Sequence, residues 1–151
     1  MTMKVYLAAD HGGFNLKEAL KAYLETQRYD VVDEGAHTLD LADDYPDFMY
    51  PAAQKIGGDL DARGIFLCRS GAGAAIVANK VAGVRGVVTR TKEDAKHARE
   101  HNDANVVALS SDSLSAEEAR DIVSTFLTTP FSGEERHLRR LKKILKIEGS
   151  A

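Results

Sequence analysis

The feature that most constrains this chain is a regular alternation: short apolar runs and segments of helical spacing take turns along its length. "MKVYLAA" reads as a first strand. "FNLKEALKAYLETQ" follows, with Phe14, Leu16, Leu20, Tyr23 and Leu24 spaced for one helical face. "YDVVDEG" is a second strand, and the polar loop "AHTLDLADDYP" leads to a helix from about Asp47. "GIFLC", "VRGVVT" and "ANVVAL" are the third, fourth and fifth strands. "AGAAIVANK" and "KEDAKHAREH" are the helices between them. "SAEEARDIVSTFLT" opens with a capping-box pattern, Ser115 and Glu118. "EERHLRRLKKILKI" closes the chain as a basic amphipathic helix.

Strands and helices that alternate this way build a parallel sheet covered on both faces. The expectation is an α/β, doubly wound five-stranded sheet of order 2-1-3-4-5, followed by a C-terminal helix. In that order the ligand crevice lies where strands 1 and 3 diverge. The residues just after those strands are "ADHGG" and "CRSGAG". The only cysteine, Cys68, therefore stands where this architecture places its ligand.

With 151 residues and 44% apolar content, the chain is read as one domain spanning 1–151, with a substantial core. A net charge of −3 disfavours nucleic acid as a partner. One cysteine excludes an intramolecular disulfide and fits a reducing compartment. The apolar run of "MTMKVYLAAD" is short and meets Asp10 at once, unlike a signal peptide, and no stretch approaches a membrane span. The expectation is a cytoplasmic protein without membrane or nucleic-acid partners.

The glycines of "CRSGAG" let backbone N–H groups turn inward at a helix start, a nest for a phosphate or for negative charge developed in reaction. A thiol there suits covalent attack or proton abstraction beside a carbonyl. A buried structural cysteine is the plainer alternative. "ADHGG" offers a carboxylate and an imidazole for acid–base work, although Asp10 also suits a helix cap. "HAREH" matches a zinc-peptidase pattern through His97 and His101. No third ligand is evident, so a helix end presenting His101 and Asn102 is the better reading. His101 precedes strand 5 whereas Cys68 follows strand 3, which puts them at opposite ends of a parallel sheet. Two subunits related by a two-fold axis would bring them together. Arg136 and Arg140 share one face of the last helix and suit a phosphate.

"ADHGG", "DYPDF", "CRSGAG…ANK", "GVRG", "AREHNDANV" and "RHLRR", in this order, resemble the type B ribose-5-phosphate isomerases, a family that also includes galactose-6-phosphate and related sugar-phosphate isomerases. The resemblance covers nearly the whole chain. It implies a Rossmann-like fold, at least a homodimer or a dimer of dimers with shared active sites, and no metal or organic cofactor. It implies that Cys68 is the base moving a proton between C1 and C2, with Ser70 assisting at the sugar oxygens. Gly71 and Gly73 would shape the loop that stabilises a cis-enediolate. Asp10 and His101 would open the sugar ring. His11, Arg136 and Arg140 would hold the phosphate, and Tyr45 and Asn102 the sugar. In the family the turn is usually Cys-Gly-Thr-Gly; here it is Cys68-Arg69-Ser70-Gly71. If the turn needs a positive φ at that place, Arg69 is strained there; otherwise it brings a cation to the pocket. Asp112 stands where the family often has a phosphate-binding arginine. The implied activity is aldose–ketose isomerisation of a phosphorylated sugar, ribose 5-phosphate first. The alternatives are another four- to six-carbon sugar phosphate and a non-catalytic phosphosugar-binding module.

Overall fold

A computed structural model describes residues 2–149. Its elements are β1 (Lys4–Ala9), α1 (Phe14–Thr26), β2 (Asp30–Asp33), α2 (Pro46–Gly57), β3 (Arg63–Cys68), α3 (Ala72–Ala78), β4 (Gly86–Val88), α4 (Lys92–Asn102), β5 (Val106–Ser110), α5 (Ala116–Thr128) and α6 (Glu135–Glu148). The strands form one sheet, every pair parallel. Alternate residues of β1 divide the core between its faces. Val5, Leu7 and Ala9 pack with Leu20 and Leu24 of α1, and with buried residues of α4 and α5. Tyr6 and Ala8 pack with Met49, Ala52 and Ile56 of α2 and with Ala74 and Ala78 of α3. The period-2 alternation of a strand is thus what places helices on both sides.

The strand order is β2-β1-β3-β5-β4, not 2-1-3-4-5. The α/β doubly wound class holds; the last two strands are exchanged. The burial of the two strands accounts for this. All five residues of β5 are buried, as a strand flanked on both sides requires. β4 has only three residues, all half-buried, and suits an edge. The exchange matters for the site. Cys68 is opposite Ser110, so the residues that follow β5 line the crevice beside the cysteine, and those following β4 do not.

β1 and β3 are adjacent, and their following helices leave to opposite faces of the sheet. The crevice between them is the switch point expected from the sequence. No helix among the described residues is long and apolar enough to cross a membrane.

Candidate active site

Cys68 ends β3 with only 5% of its surface exposed. The Gly71 N–H donates to its Sγ at 3.2 Å. Gly71 makes this possible with φ of 80°, the left-handed region where a side chain would be strained. Arg69 is not among the residues with positive φ, so the arginine carries no such strain; the left-handed turn falls on Gly71 instead. The Ser70 hydroxyl accepts from the Ala72 N–H at 3.1 Å.

The loop after β1 closes in from the other side. Asp10 is buried, and its Oδ1 accepts the Gly13 N–H at 3.1 Å. It therefore closes the turn ahead of α1 while standing at the crevice; it is not the helix N-cap that one sequence reading offered, since that position is Gly13, without a side-chain cap. The approach of the two loops depends on glycine. A Cβ on Gly13 would lie 2.5 Å from the Leu67 carbonyl oxygen, and one on Gly12 2.6 Å from Arg69 Cγ. Tyr45, just before α2, lies over the start of α3, where a Cβ on Gly73 would meet its ring at 2.6 Å.

Three residues that the sequence reading passed over complete this end. Asp43 Oδ1 accepts the His11 N–H at 2.9 Å and lies 2.7 Å from His11 Nδ1. Its side chain is 8% exposed and its Oδ2 has no hydrogen-bond partner. The only signal was its place in an acidic run ahead of Tyr45. The Ser110 hydroxyl donates to the Arg69 carbonyl at 2.6 Å, and the Ser111 hydroxyl to the Gly12 carbonyl at 2.5 Å. These serines became visible only with the true strand order. Asp10, His11 and Asp43 offer ligand atoms within 4.8 Å of one another. A cation there would have to replace the hydrogen bond that already engages His11 Nδ1.

The remaining candidates form a second group. His101 and Asn102 end α4, one residue before Asp103, whose φ of 45° turns the chain toward β5. His101 stacks on His137 of α6 with centroids 4.5 Å apart and planes 13° apart, while His97 meets His101 edge-on at 4.1 Å. His137 is the partner-helix histidine that the zinc pattern lacked. Parallel stacked rings do not turn their nitrogens toward one point, so the cluster is not a metal cage. His137 is buried, and its Nε2 has no hydrogen-bond partner, Glu134 Oε2 lying 3.8 Å away. Burial, reinforced by His101 and Arg136 nearby, pushes its pKa below the ordinary histidine value. Arg136 donates to Glu134 at 2.9 Å. Arg140 has no ion-pair partner among the described residues.

Within one chain these two groups are apart. Cys68 is opposite Ser110, and Val106, at the start of β5, is opposite Gly64. That separation along the strands is about 13 Å before the turn to His101 is added. None of the hydrogen bonds or ring contacts among the described residues joins the crevice to the α4–α6 group.

Residues 5–144 match the family described as Ribose/Galactose Isomerase. Ribose-5-phosphate isomerase B of Mycolicibacterium paratuberculosis is 42% identical over 146 residues, 97% of this chain and 92% of that protein. The crystal structure of ribose-5-phosphate isomerase B from Mycoplasma genitalium with bound ribulose-5-phosphate superposes with a TM-score of 0.95, at 38% identity, covering 100% of this chain and 99% of that one. The Clostridium thermocellum ribose-5-phosphate isomerase B gives 0.93 at 41% identity, covering 97% and 98%. Match and coverage both run nearly end to end, and the chain belongs to the Ribose/Galactose Isomerase family.

Proposed function

We propose that this protein interconverts ribose 5-phosphate and ribulose 5-phosphate. It is an aldose–ketose isomerase, as its relatives of near-equal length are. The observation that carries the residue assignment is Cys68, held by the Gly71 N–H at the floor of the crevice beside Asp10. Cys68 takes the proton from C2 of the open-chain aldose. The C1 oxygen gains a proton as the C2 hydroxyl becomes the carbonyl, through a cis-enediolate. The proton on sulfur then returns to C1, so no external oxidant or reductant is needed. The loop from Gly71 to Gly73 faces the developing negative charge, and Ser70 assists proton movement at the oxygens. Asp10 and His101 open the sugar ring. His11, Arg136 and Arg140 hold the phosphate, while Tyr45 and Asn102 bind the sugar. Asp43 fixes the ring of His11.

The working unit of this reading is a homodimer. The crevice of one chain lacks the α4–α6 group, and a two-fold partner supplies it. The exposed apolar side chains Leu138, Ile144 and Ile147 of α6 and Ile76 of α3 suit a second copy as occupant. The compartment is the cytoplasm, in keeping with a free thiol.

The test is incubation of the purified protein with ribose 5-phosphate and a panel of four- to six-carbon sugar phosphates in D₂O. Deuterium should enter at C1 or C2, with ribose 5-phosphate the best substrate. Cys68→Ala should remove both exchange and turnover while the melting temperature and substrate binding persist. Near-normal exchange in that variant would exclude Cys68 as the base.

A further inference from the structure

The geometry points to Arg69 as a phosphate-binding strap across the crevice mouth, paired with Asp112 and able to swing from it to the substrate's phosphate. This rests on the crevice being the sugar-phosphate site proposed above.

Arg69 directly follows Cys68, and its stem passes over the loop after β1, where the bare backbone of Gly12 makes room for its Cγ. Its Nη1 lies 3.6 Å from Asp112 Oδ1, and the two side chains are 64% and 60% exposed. The backbone beneath is tied down. The Ser110 hydroxyl donates to the Arg69 carbonyl at 2.6 Å, and the Asp112 N–H donates to the same oxygen at 3.2 Å. Next to it, the Ser111 N–H donates to the Cys68 carbonyl at 3.0 Å, and the Ser111 hydroxyl bridges to Gly12. Three loops are thus clasped around the cysteine, and the Arg69 side chain stands largely exposed above them.

An exposed carboxylate–guanidinium pair at 3.6 Å is weak. A phosphate monoester carries about −1.5 to −2 charge and takes both arms of a guanidinium in short, charge-assisted hydrogen bonds. The phosphate therefore wins the arginine, and Asp112 acts as the competitor that sets how tightly it must bind. Asp112 is a positioning residue in this scheme; Arg69 touches the ligand.

The test uses two arms on the intact protein. Calorimetry with inorganic phosphate reads anion binding without turnover, and steady-state kinetics with ribose 5-phosphate reads the substrate. Arg69→Ala should weaken phosphate about tenfold. Asp112→Asn should tighten it roughly threefold and lower KM for ribose 5-phosphate by a similar factor. A gain of affinity cannot come from misfolding. In the Arg69→Ala background the Asp112→Asn gain should largely disappear, because Asp112 acts through the arginine. Binding of unphosphorylated ribose should not respond. The proposal is overturned if Arg69→Ala binds phosphate like wild type, or if Asp112→Asn tightens binding equally with and without Arg69. Response to ribose 5-phosphate but not to inorganic phosphate would also overturn it, since the recognised group would then be the sugar. Absence of isomerisation in the wild type with the phosphate pattern intact would sink the isomerase reading and leave the anion strap standing.

Discussion

Lys17 shows how a single buried charge positions the crevice. It is fully buried on α1, and its Nζ donates to both carboxylate oxygens of Asp33 at 2.9 Å and to Glu18 at 2.8 Å. Asp33 also accepts the Gly35 N–H at 2.9 Å, and the Gly35 carbonyl accepts the Ala9 N–H at 2.8 Å. The pair therefore ties the end of β2 to the end of β1, one residue before Asp10. Burial by itself would raise the Asp33 pKa, but the hydrogen bonds from Lys17, Gly35 and Lys21 outweigh it and hold the carboxyl below its usual range. A carboxyl depressed in the folded state contributes stability that is present above its unfolded value, near 3.9. That contribution is lost as pH falls below this value through the folded one. Asp33→Asn, which leaves the buried ammonium only the half-exposed carboxylate of Glu18, should cost about 2–3 kcal/mol in urea unfolding at pH 7. It should also lose less stability than wild type on acidification from pH 4 downward. Lys17→Met should cost less, because it removes the buried charge and keeps the apolar stem. Equal losses in the two variants would mean the pair does not act as a buried ion pair.

The packing of α4 against α6 brings His97, His101 and His137 together. The groups facing His137 are His101 from α4 and Arg136, Arg140 and Glu134 from its own segment, with Glu134 Oε2 3.8 Å from Nε2. A base whose folded pKa is lowered binds fewer protons folded than unfolded. Stability should then fall as pH drops through the ordinary histidine value of about 6.5 toward the lower folded one. His137→Phe keeps a ring against His101 and removes the titration. The drop in melting temperature between pH 7.5 and pH 5.5 should shrink in that variant; an unchanged drop would assign it to other groups. The sequence carried this helix pair only halfway. Its place between two strands located α4, amphipathic spacing located α6, and the motif order pointed to His101, Arg136 and Arg140. The stack with His137 arises from tertiary packing and has no periodic signature. Strand order escaped for the same kind of reason. "VRGVVT" and "ANVVAL" both read as six-residue strands with polar residues beside them, and nothing local marks the first as an edge. With β5 placed beside β3, Ser110, Ser111 and the Arg69–Asp112 pair fall into the site together, which no local pattern could announce.

At the scale of the whole molecule, the crevice residues lie at the C-terminal ends of β1 and β3, and the α4–α6 group lies toward the start of β5. Shared active sites follow from that division if a two-fold partner lays its α4–α6 group over the crevice. Cys68→Ala and His101→Ala should each be inactive alone. After subunit exchange, random pairing makes half the dimers hybrid, and each hybrid carries one site with both residues intact, so activity should return to about a quarter of wild type. Continued inactivity, with exchange verified by mass spectrometry, would require one chain to supply both residues. The interior place of β5 has a further consequence, for the time course of synthesis. β4 pairs with β5 alone, and β3 needs β5 along its second edge. A growing chain that has emerged only through β4 holds a three-stranded β2-β1-β3 sheet whose β3 edge is open, and a fourth strand with nowhere to dock. The gap closes only when residues 106–110 slide between the two, so the last strand to be made is the one that completes the sheet, and Arg69 meets Asp112 in the same event.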